Sequence, residues 1–176
     1  MAPSQVAASG ITGYMATWEN RVQDLDAAKQ LRALHEGEVV VTLDLPSGLA
    51  ALGEAIAEDL EQINISVSVN SLSPDLFEDK ILSGASDFYF FGWTYDLADS
   101  ADFFESVIHS KEEGYGEFNG IAYSNLSLDE QIEEASSLLD YTQRRTLLET
   151  LTEQLMEDQV VLPLFESRVL YGLGSG

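Results

Sequence analysis

Apolar positions along this chain recur at two different spacings, and the switching between them outlines an α/β fold. Leu25, Ala28, Leu31 and Leu34 fall at helical spacing behind Asp24, a side chain suited to capping. Gly37 ends that helix, and Val39 to Leu45 is rich in β-branched residues, as a buried strand would be. Pro46-Ser47-Gly48 breaks the strand and opens a helix through about Gln62, with Leu49, Leu52, Ile56 and Leu60 on one face. Ile65 to Val69 then alternates apolar and polar, the pattern of a strand with one buried face. Strand, helix and strand in this order make a βαβ unit, whose crossover is almost always right-handed. Ser73-Pro74-Asp75 starts a further helix carrying Leu76, Phe77, Ile81 and Leu82, Gly84 stops it, and Phe88 to Phe91 is a third strand.

The second half changes character. Asp102 to His109 reads as helix and Lys111 to Asn119 as a loop. Leu128 to Leu139 reads as a helix capped by Ser127, with Glu130 closing a capping box. Thr142 to Asp158 is a longer amphipathic helix bearing Leu147, Leu148, Leu151, Leu155 and Met156. A last strand is expected at Val160 to Phe165, where Pro163 favours an edge position or a strand that leaves the domain. Residues 1–20 show no period and read as an irregular lead-in, residues 21–171 as one α/β domain, and 172–176 as a flexible tail.

Composition narrows the function. A chain of 176 residues with 45% hydrophobic content can bury one real core. Its 31 Asp and Glu face only 8 Lys and Arg, and a net charge of -23 repels phosphate backbones and anionic lipid, which argues against a nucleic-acid partner. The acids are spread along the expected helices, as at Glu54, Glu58, Asp59 and Glu61 or Glu130, Glu133 and Glu134. Like charges at that spacing cost stability in dilute buffer and are screened at high salt. The balance therefore reads as a halophile's protein, an ordinary acidic secreted protein being the alternative. There is no cysteine, so disulfides and thiolate metal sites are excluded. No stretch approaches the roughly 18 apolar residues of a membrane span. The start lacks the basic and apolar regions of a signal peptide, so a protein working outside the cell would begin here after its export signal.

The chemistry concentrates between Phe88 and Phe104. An aromatic run ends at Gly92, Trp93 follows, and Asp96, Asp99 and Asp102 recur every third residue before Phe103 and Phe104. That spacing does not fit a calcium loop, which needs alternating ligands, a central glycine and a terminal glutamate, so no metal site is expected there. Asp99 and Ser100 are placed to cap the following helix. Asp96 falls between strand and helix, where open α/β sheets bind ligands. Its carboxylate can hold an ammonium group beside the Trp93 indole; equally, it can be a solvated loop residue next to a core tryptophan. His35 and His109 are the only imidazoles, neither paired with a nucleophile, and no Gly-x-Ser-x-Gly turn is present. Gly114-Tyr115-Gly116 lacks the lysine and helix of a phosphate loop, and nothing calls for a cofactor. A hydrolase using two carboxylates stays open, although with 31 acids a pair is uninformative.

Gly92, Trp93 and Asp96 together resemble the Gly-Trp-x-x-Asp signature in the C-terminal lobe of family 5 extracytoplasmic solute-binding proteins, the oligopeptide and dipeptide-binding proteins of ABC importers. The resemblance continues upstream in the Asp24 to Leu31 helix and the Val39 to Leu45 strand. Downstream, Tyr123, Ser124, Asn125, Asp129, Ile132 and Ala135 follow the family's Tyr-Ser-Asn-Pro and Asp-x-x-Ile-x-x-Ala pattern, with Leu126 in place of proline. Asp140, Arg144 or Arg145, Leu148 and Leu151 then lead to Val161-Leu162-Pro163-Leu164-Phe165, similar to the family's closing strand. The match runs in register over roughly residues 20–170; Asp99-Ser100 departs from the family's Asp-Pro. It implies a periplasmic-binding-protein-like α/β lobe, a mixed sheet flanked by helices and half of a two-lobed clamshell whose N-terminal lobe is missing. It implies no enzyme but a protein that captures dipeptides or oligopeptides outside the cell and delivers them to ABC importer permease subunits. Its setting would be extracellular or periplasmic, membrane-tethered in the full-length parent. By residue match Asp96 would hold the ligand's ammonium group and Trp93 line the pocket, with Thr94, Tyr95 and the backbone at Gly92 as secondary contacts. A carboxylate-pair hydrolase and a stand-alone interaction domain of a halophile are the alternatives.

Overall fold

The computed structural model describes residues 3–19 and 22–167. In chain order the elements are α1 (Leu25–Arg32), β1 (Val39–Pro46), α2 (Ala50–Glu61), β2 (Ile65–Leu72), α3 (Pro74–Leu82), β3 (Phe88–Tyr89), α4 (Ala101–Phe103), α5 (Leu126–Ser137) and α6 (Tyr141–Asp158). A π-helical turn over Phe104–Ile108 extends α4. Among the described residues no helix is long and apolar enough to cross a membrane. The tail expected at 172–176 lies outside the described residues.

The sheet has the order β2-β1-β3, with β1 parallel to both neighbours. The path from β1 to β2 steps one way and the path from β2 to β3 steps back across β1, so right-handed crossovers put α2 and α3 on opposite faces. Side chains on β1 agree. Leu45 faces α2, where Gly53 comes so close that an added Cβ would sit 3.0 Å from Leu45 Cδ2 and 2.7 Å from Val69 Cγ1. Its neighbour Asp44 points the other way, to Lys80 of α3.

The main core lies beyond β3, beneath the C-terminal helices. Phe103, Phe104, Val107 and Ile108 pack there with Leu128, Ile132 and Ala135 of α5 and Leu148, Leu151 and Leu155 of α6. These helical positions recur at three- and four-residue steps, which is how α5 and α6 each bury one stripe. The aperiodic N-terminal stretch is docked on this body. Gln5 exchanges two side-chain hydrogen bonds with the Met15 backbone, Thr12 pairs with the chain at Asp99, and Thr152 Oγ1 donates to Gly13 O.

Three local expectations change. The cap of α5 is Asn125 rather than Ser127: its Oδ1 accepts from Leu128 N, so the helix begins at Leu126. Both residue types cap well, and the earlier one is reached first. Val160 to Phe165 forms no strand, because among the described residues no partner ladder runs beside it; Phe165 instead stacks on Phe90, with ring centres 5.8 Å apart. Finally, β3 pairs over two residues only, and Phe90 N still reaches Asp44 O at 2.9 Å before the chain leaves the sheet.

Candidate functional site

β3 leaves the sheet beside central β1, on the side opposite β2, so Gly92 to Asp96 emerges where the strand order reverses. Crevices form at such points because the flanking connections go to opposite faces. Burial alternates along the segment, which ends in a turn at Asp96 and Leu97. Phe91, Trp93 and Tyr95 are half-buried, while Gly92, Thr94 and Asp96 are exposed. A Cβ built on Gly92 meets nothing within 4 Å, so the backbone there faces open space.

The inward row is held by aromatic packing. The Trp93 ring centre lies 6.1 Å from Phe91, 6.0 Å from Phe103 and 6.2 Å from Phe118, in tilted and edge-on arrangements that suit the ring quadrupoles. Trp93 Nε1 is buried without a hydrogen-bond partner. Its N–H lies near enough to the Asp102 carboxylate to favour its charge, although the pair does not meet hydrogen-bond geometry. Burial still dominates at Asp102 and holds its carboxyl above the ordinary range, with Asp99 and Glu105 adding to the rise and the Phe103 N–H and Trp93 opposing it. Tyr95 rests on Phe103 and donates its hydroxyl to Val6 O at 3.1 Å. Burial, then Asp102, pushes that phenol well above its usual pKa.

The five residues singled out from sequence therefore divide. Gly92, Thr94 and Asp96 share one accessible row, with Asp96 making no hydrogen bond or ion pair among the described residues. Trp93 and Tyr95 support that row from beneath. Immediately afterwards Ala98 adopts a left-handed conformation, φ 52°, and hands its carbonyl to Thr12 N at 2.9 Å. Asp99 accepts from Ala101 N, as expected of a cap, while Ser100 Oγ is buried with no partner. Asp99 is also gripped at both oxygens by Arg144 of α6, at 2.9 and 3.0 Å, and the same guanidinium donates to Ala135 O of α5. That fork-to-carboxylate pair ties the loop after Asp96 to two helices.

A second feature went unseen in sequence. Asp44 is fully buried in β1, and all its partners are donors: Asn70 Nδ2 at 2.6 Å, Lys80 Nζ at 2.9 Å and Ser86 Oγ. Burial raises its pKa, but the hydrogen bonds from Ser86, Lys80 and Asn70 and the charge of Lys80 outweigh that and leave it below the ordinary range. The group fastens α3 and the approach to β3 onto the sheet. A lone carboxylate inside an apolar strand was the available signal, since a charge is buried only with partners.

A concavity lies elsewhere. It is an open depression of about 560 Å³ bordered by Leu82, Ser106, Lys111, Glu112 and Tyr115, and it excludes Gly92 to Asp96.

No family model matches the chain, and no curated protein is similar to it. Solved structures are. HbpA2 from Haemophilus parasuis superposes with a TM-score of 0.82 at 14% identity, over 93% of this chain and 34% of that one. The ABC transporter substrate-binding protein CtaP from Listeria monocytogenes gives 0.80 at 16% identity, over 93% and 34%. The ABC transporter-associated periplasmic binding protein DppA from Helicobacter pylori, solved with the peptide STSA, gives 0.77 at 23% identity, over 89% and 31%. The chain spans about a third of the length of these structures. Its helix-flanked parallel sheet and the helices beyond it are thus a periplasmic-binding-protein-like α/β fold, similar to part of the substrate-binding proteins of ABC transporters.

Proposed function

We propose that this chain is the substrate-binding lobe of an ABC-importer solute-binding protein that captures peptides or other aminated small molecules. Asp96 holds the ligand's ammonium group, Gly92 and Thr94 offer backbone and hydroxyl contacts beside it, and Trp93 stiffens the wall from behind. A second, N-terminal lobe closes over the row, and the loaded clamshell docks on permease subunits. The observation that carries this reading is the accessible row of Gly92, Thr94 and Asp96 at the sheet's reversal point. Among the described residues that carboxylate has no partner, which suits it to a cationic ligand. The fold's likeness to DppA, whose structure holds a peptide, supports the ligand class. The protein then works outside the membrane, in periplasm or medium, tethered in its full-length parent, and its charge of -23 suits salt-rich surroundings.

The test is calorimetric titration of peptides into a protein carrying both lobes, after mass spectrometry of molecules that co-purify with it. Asp96→Ala should weaken binding by at least about 1.5 kcal/mol, the lower range for a hydrogen bond to a charged group and about tenfold in Kd. Unchanged affinity would remove Asp96 from the site, and turnover of the ligand would replace transport by hydrolysis.

A further inference from the structure

A second cluster lies on the loop between α4 and α5, apart from the Asp96 row. His109 ends the π-helical turn, its N–H reaching Phe104 O at 2.9 Å. Such turns add one residue to the helix and often mark functional positions. The imidazole is 1% exposed, and its ring lies flat on Tyr115 with centres 4.3 Å apart. Nδ1 sits 2.8 Å from Ser110 O, an acceptor, so in the neutral ring the proton belongs on Nδ1 and the lone pair on Nε2.

That lone pair has no partner. Nε2 is buried without a hydrogen bond and points at two carboxylates, Glu133 Oε1 at 3.5 Å and Glu112 Oε1 at 3.9 Å. One ligand atom from each of the three residues lies within 4.8 Å of the others. Lone pair and carboxylates repel one another unless something positive sits between them. Lys111 is adjacent in sequence, but its ammonium is turned to the carbonyls of Ile81 and Leu82 at the end of α3.

We infer that His109, Glu112 and Glu133 bind a divalent first-row transition ion such as zinc. Three donors around an ion with bonds of ~2.0–2.1 Å at tetrahedral angles stand ~3.3 Å apart. The observed spacings, all within 4.8 Å, need an inward shift, and both glutamates are exposed and able to make it. An imidazole nitrogen selects such ions over calcium or magnesium, which prefer all-oxygen shells. Water fills the remaining positions. The surroundings match what metal-ligating histidines require: Nδ1–H is held by a carbonyl, Asn119 Nδ2 holds His109 O at 3.0 Å, and Tyr115 fixes the ring plane. The bound ion ties the loop to α5. The same loop carries Phe118, which packs on Phe91 and Trp93, so the ion also steadies the aromatic support of the Asp96 row.

The experiment is titration of ZnCl2 into chelator-stripped protein, in molar KCl with millimolar MgCl2 to suppress loose binding to the acidic surface. One equivalent should bind, and Co2+ in its place should show the visible absorption of a low-coordinate nitrogen–oxygen site. Glu112→Gln and Glu133→Gln lie on the surface and should leave the fold intact; each should weaken zinc binding at least about tenfold, the scale already seen for losing an outer partner of a metal ligand. Zinc that binds equally well to both variants, binds at many equivalents or fails to bind overturns the site.

Discussion

Removing the Lys80 ammonium should expose how much of the fold rests on one buried carboxylate. In Lys80→Met the apolar stem is retained, so the change deletes the charge and little packing. Asp44 is left with Ser86 and Asn70, while the ammonium that lay 2.9 Å from each of its oxygens is gone. Breaking a buried pair by removing one partner costs about 3–5 kcal/mol. Lys80 is 28% exposed, so water replaces part of its contact and the loss should be nearer to ~2–3 kcal/mol. At about 2–4 °C per kcal/mol for a chain of this size, Tm should fall by roughly 5–10 °C.

The pH dependence gives that number a signature. Asp44 titrates below its ordinary pKa in the folded protein, so it contributes stability above the ordinary carboxylate value and loses it as pH falls through the lower, folded one. Without Lys80 two of the lowering influences vanish and the folded value rises. The gap between parent and variant should therefore be full at neutral pH and narrow as pH falls through the carboxylate range. Urea melts at several pH values measure it; guanidinium is a salt and would itself screen the surface. A loss below ~0.5 kcal/mol at pH 7, or a loss that is equal at every pH, refutes the assignment of Asp44 and Lys80 as a buried, charge-dependent joint.

Moving from dilute buffer to molar KCl should raise Tm, because a net charge of -23 repels itself over a screening length that shrinks from ~10 Å at 0.1 M to ~3 Å at 1 M; a flat or falling Tm in a salt series would end the high-salt reading. Ala98→Gly should stabilise by ~0.5–1 kcal/mol, since φ 52° strains alanine by about 1–2 kcal/mol and glycine's looser unfolded chain returns part of that; a lower urea midpoint would contradict it. Gly53→Ala should do the reverse, losing ~1–2 kcal/mol, because crowding against Val69 and Leu45 outweighs a helix-propensity gain of about 1 kcal/mol; a midpoint at or above the parent's would show that α2 yields freely.

Local order was readable from the chain because it follows from period and punctuation. The helices and the first two strands lie within a few residues of where the spacing of Leu25, Leu52, Ile65 or Leu148 puts them. What escaped depends on distant partners. The donors to Asp44 come from 26, 36 and 42 positions away, and Tyr95 meets Val6 across 89 positions. Val160 to Phe165 has the composition of a strand, yet a strand exists only with a neighbour to pair with. Part of the candidate site's geometry was legible. Alternation along Phe91 to Asp96 was in the sequence, and it separates the exposed Thr94 and Asp96 from the supporting Trp93 and Tyr95. Glu133 beside His109 had no such signal, because α5 brings it from 24 positions on.

Four of the eight cations help to explain how so acidic a chain holds together. Arg32 spends its guanidinium on the carbonyls of Asn64, His35 and Gly37, fastening α1 to the start of the sheet. Lys80 fastens α3 to β1, Lys111 caps the end of α3 from the α4–α5 loop, and Arg144 fastens the loop after Asp96 to α5 and α6. Each of these four joins elements, whereas Arg145 pairs with Glu149 within α6. Loss of one has two separable effects: it frees a joint, and it adds one more uncompensated negative charge. Salt screens the second and does not replace the first, whose hydrogen bonds are short-range and directional. For the proposed ligand site the distinction matters most at Arg144. Concentrated salt can relieve repulsion around Asp96, Asp99 and Asp102, but it cannot replace the two-pronged grip on Asp99, which with the Thr12 and Val6 contacts holds the loop that follows the Asp96 carboxylate.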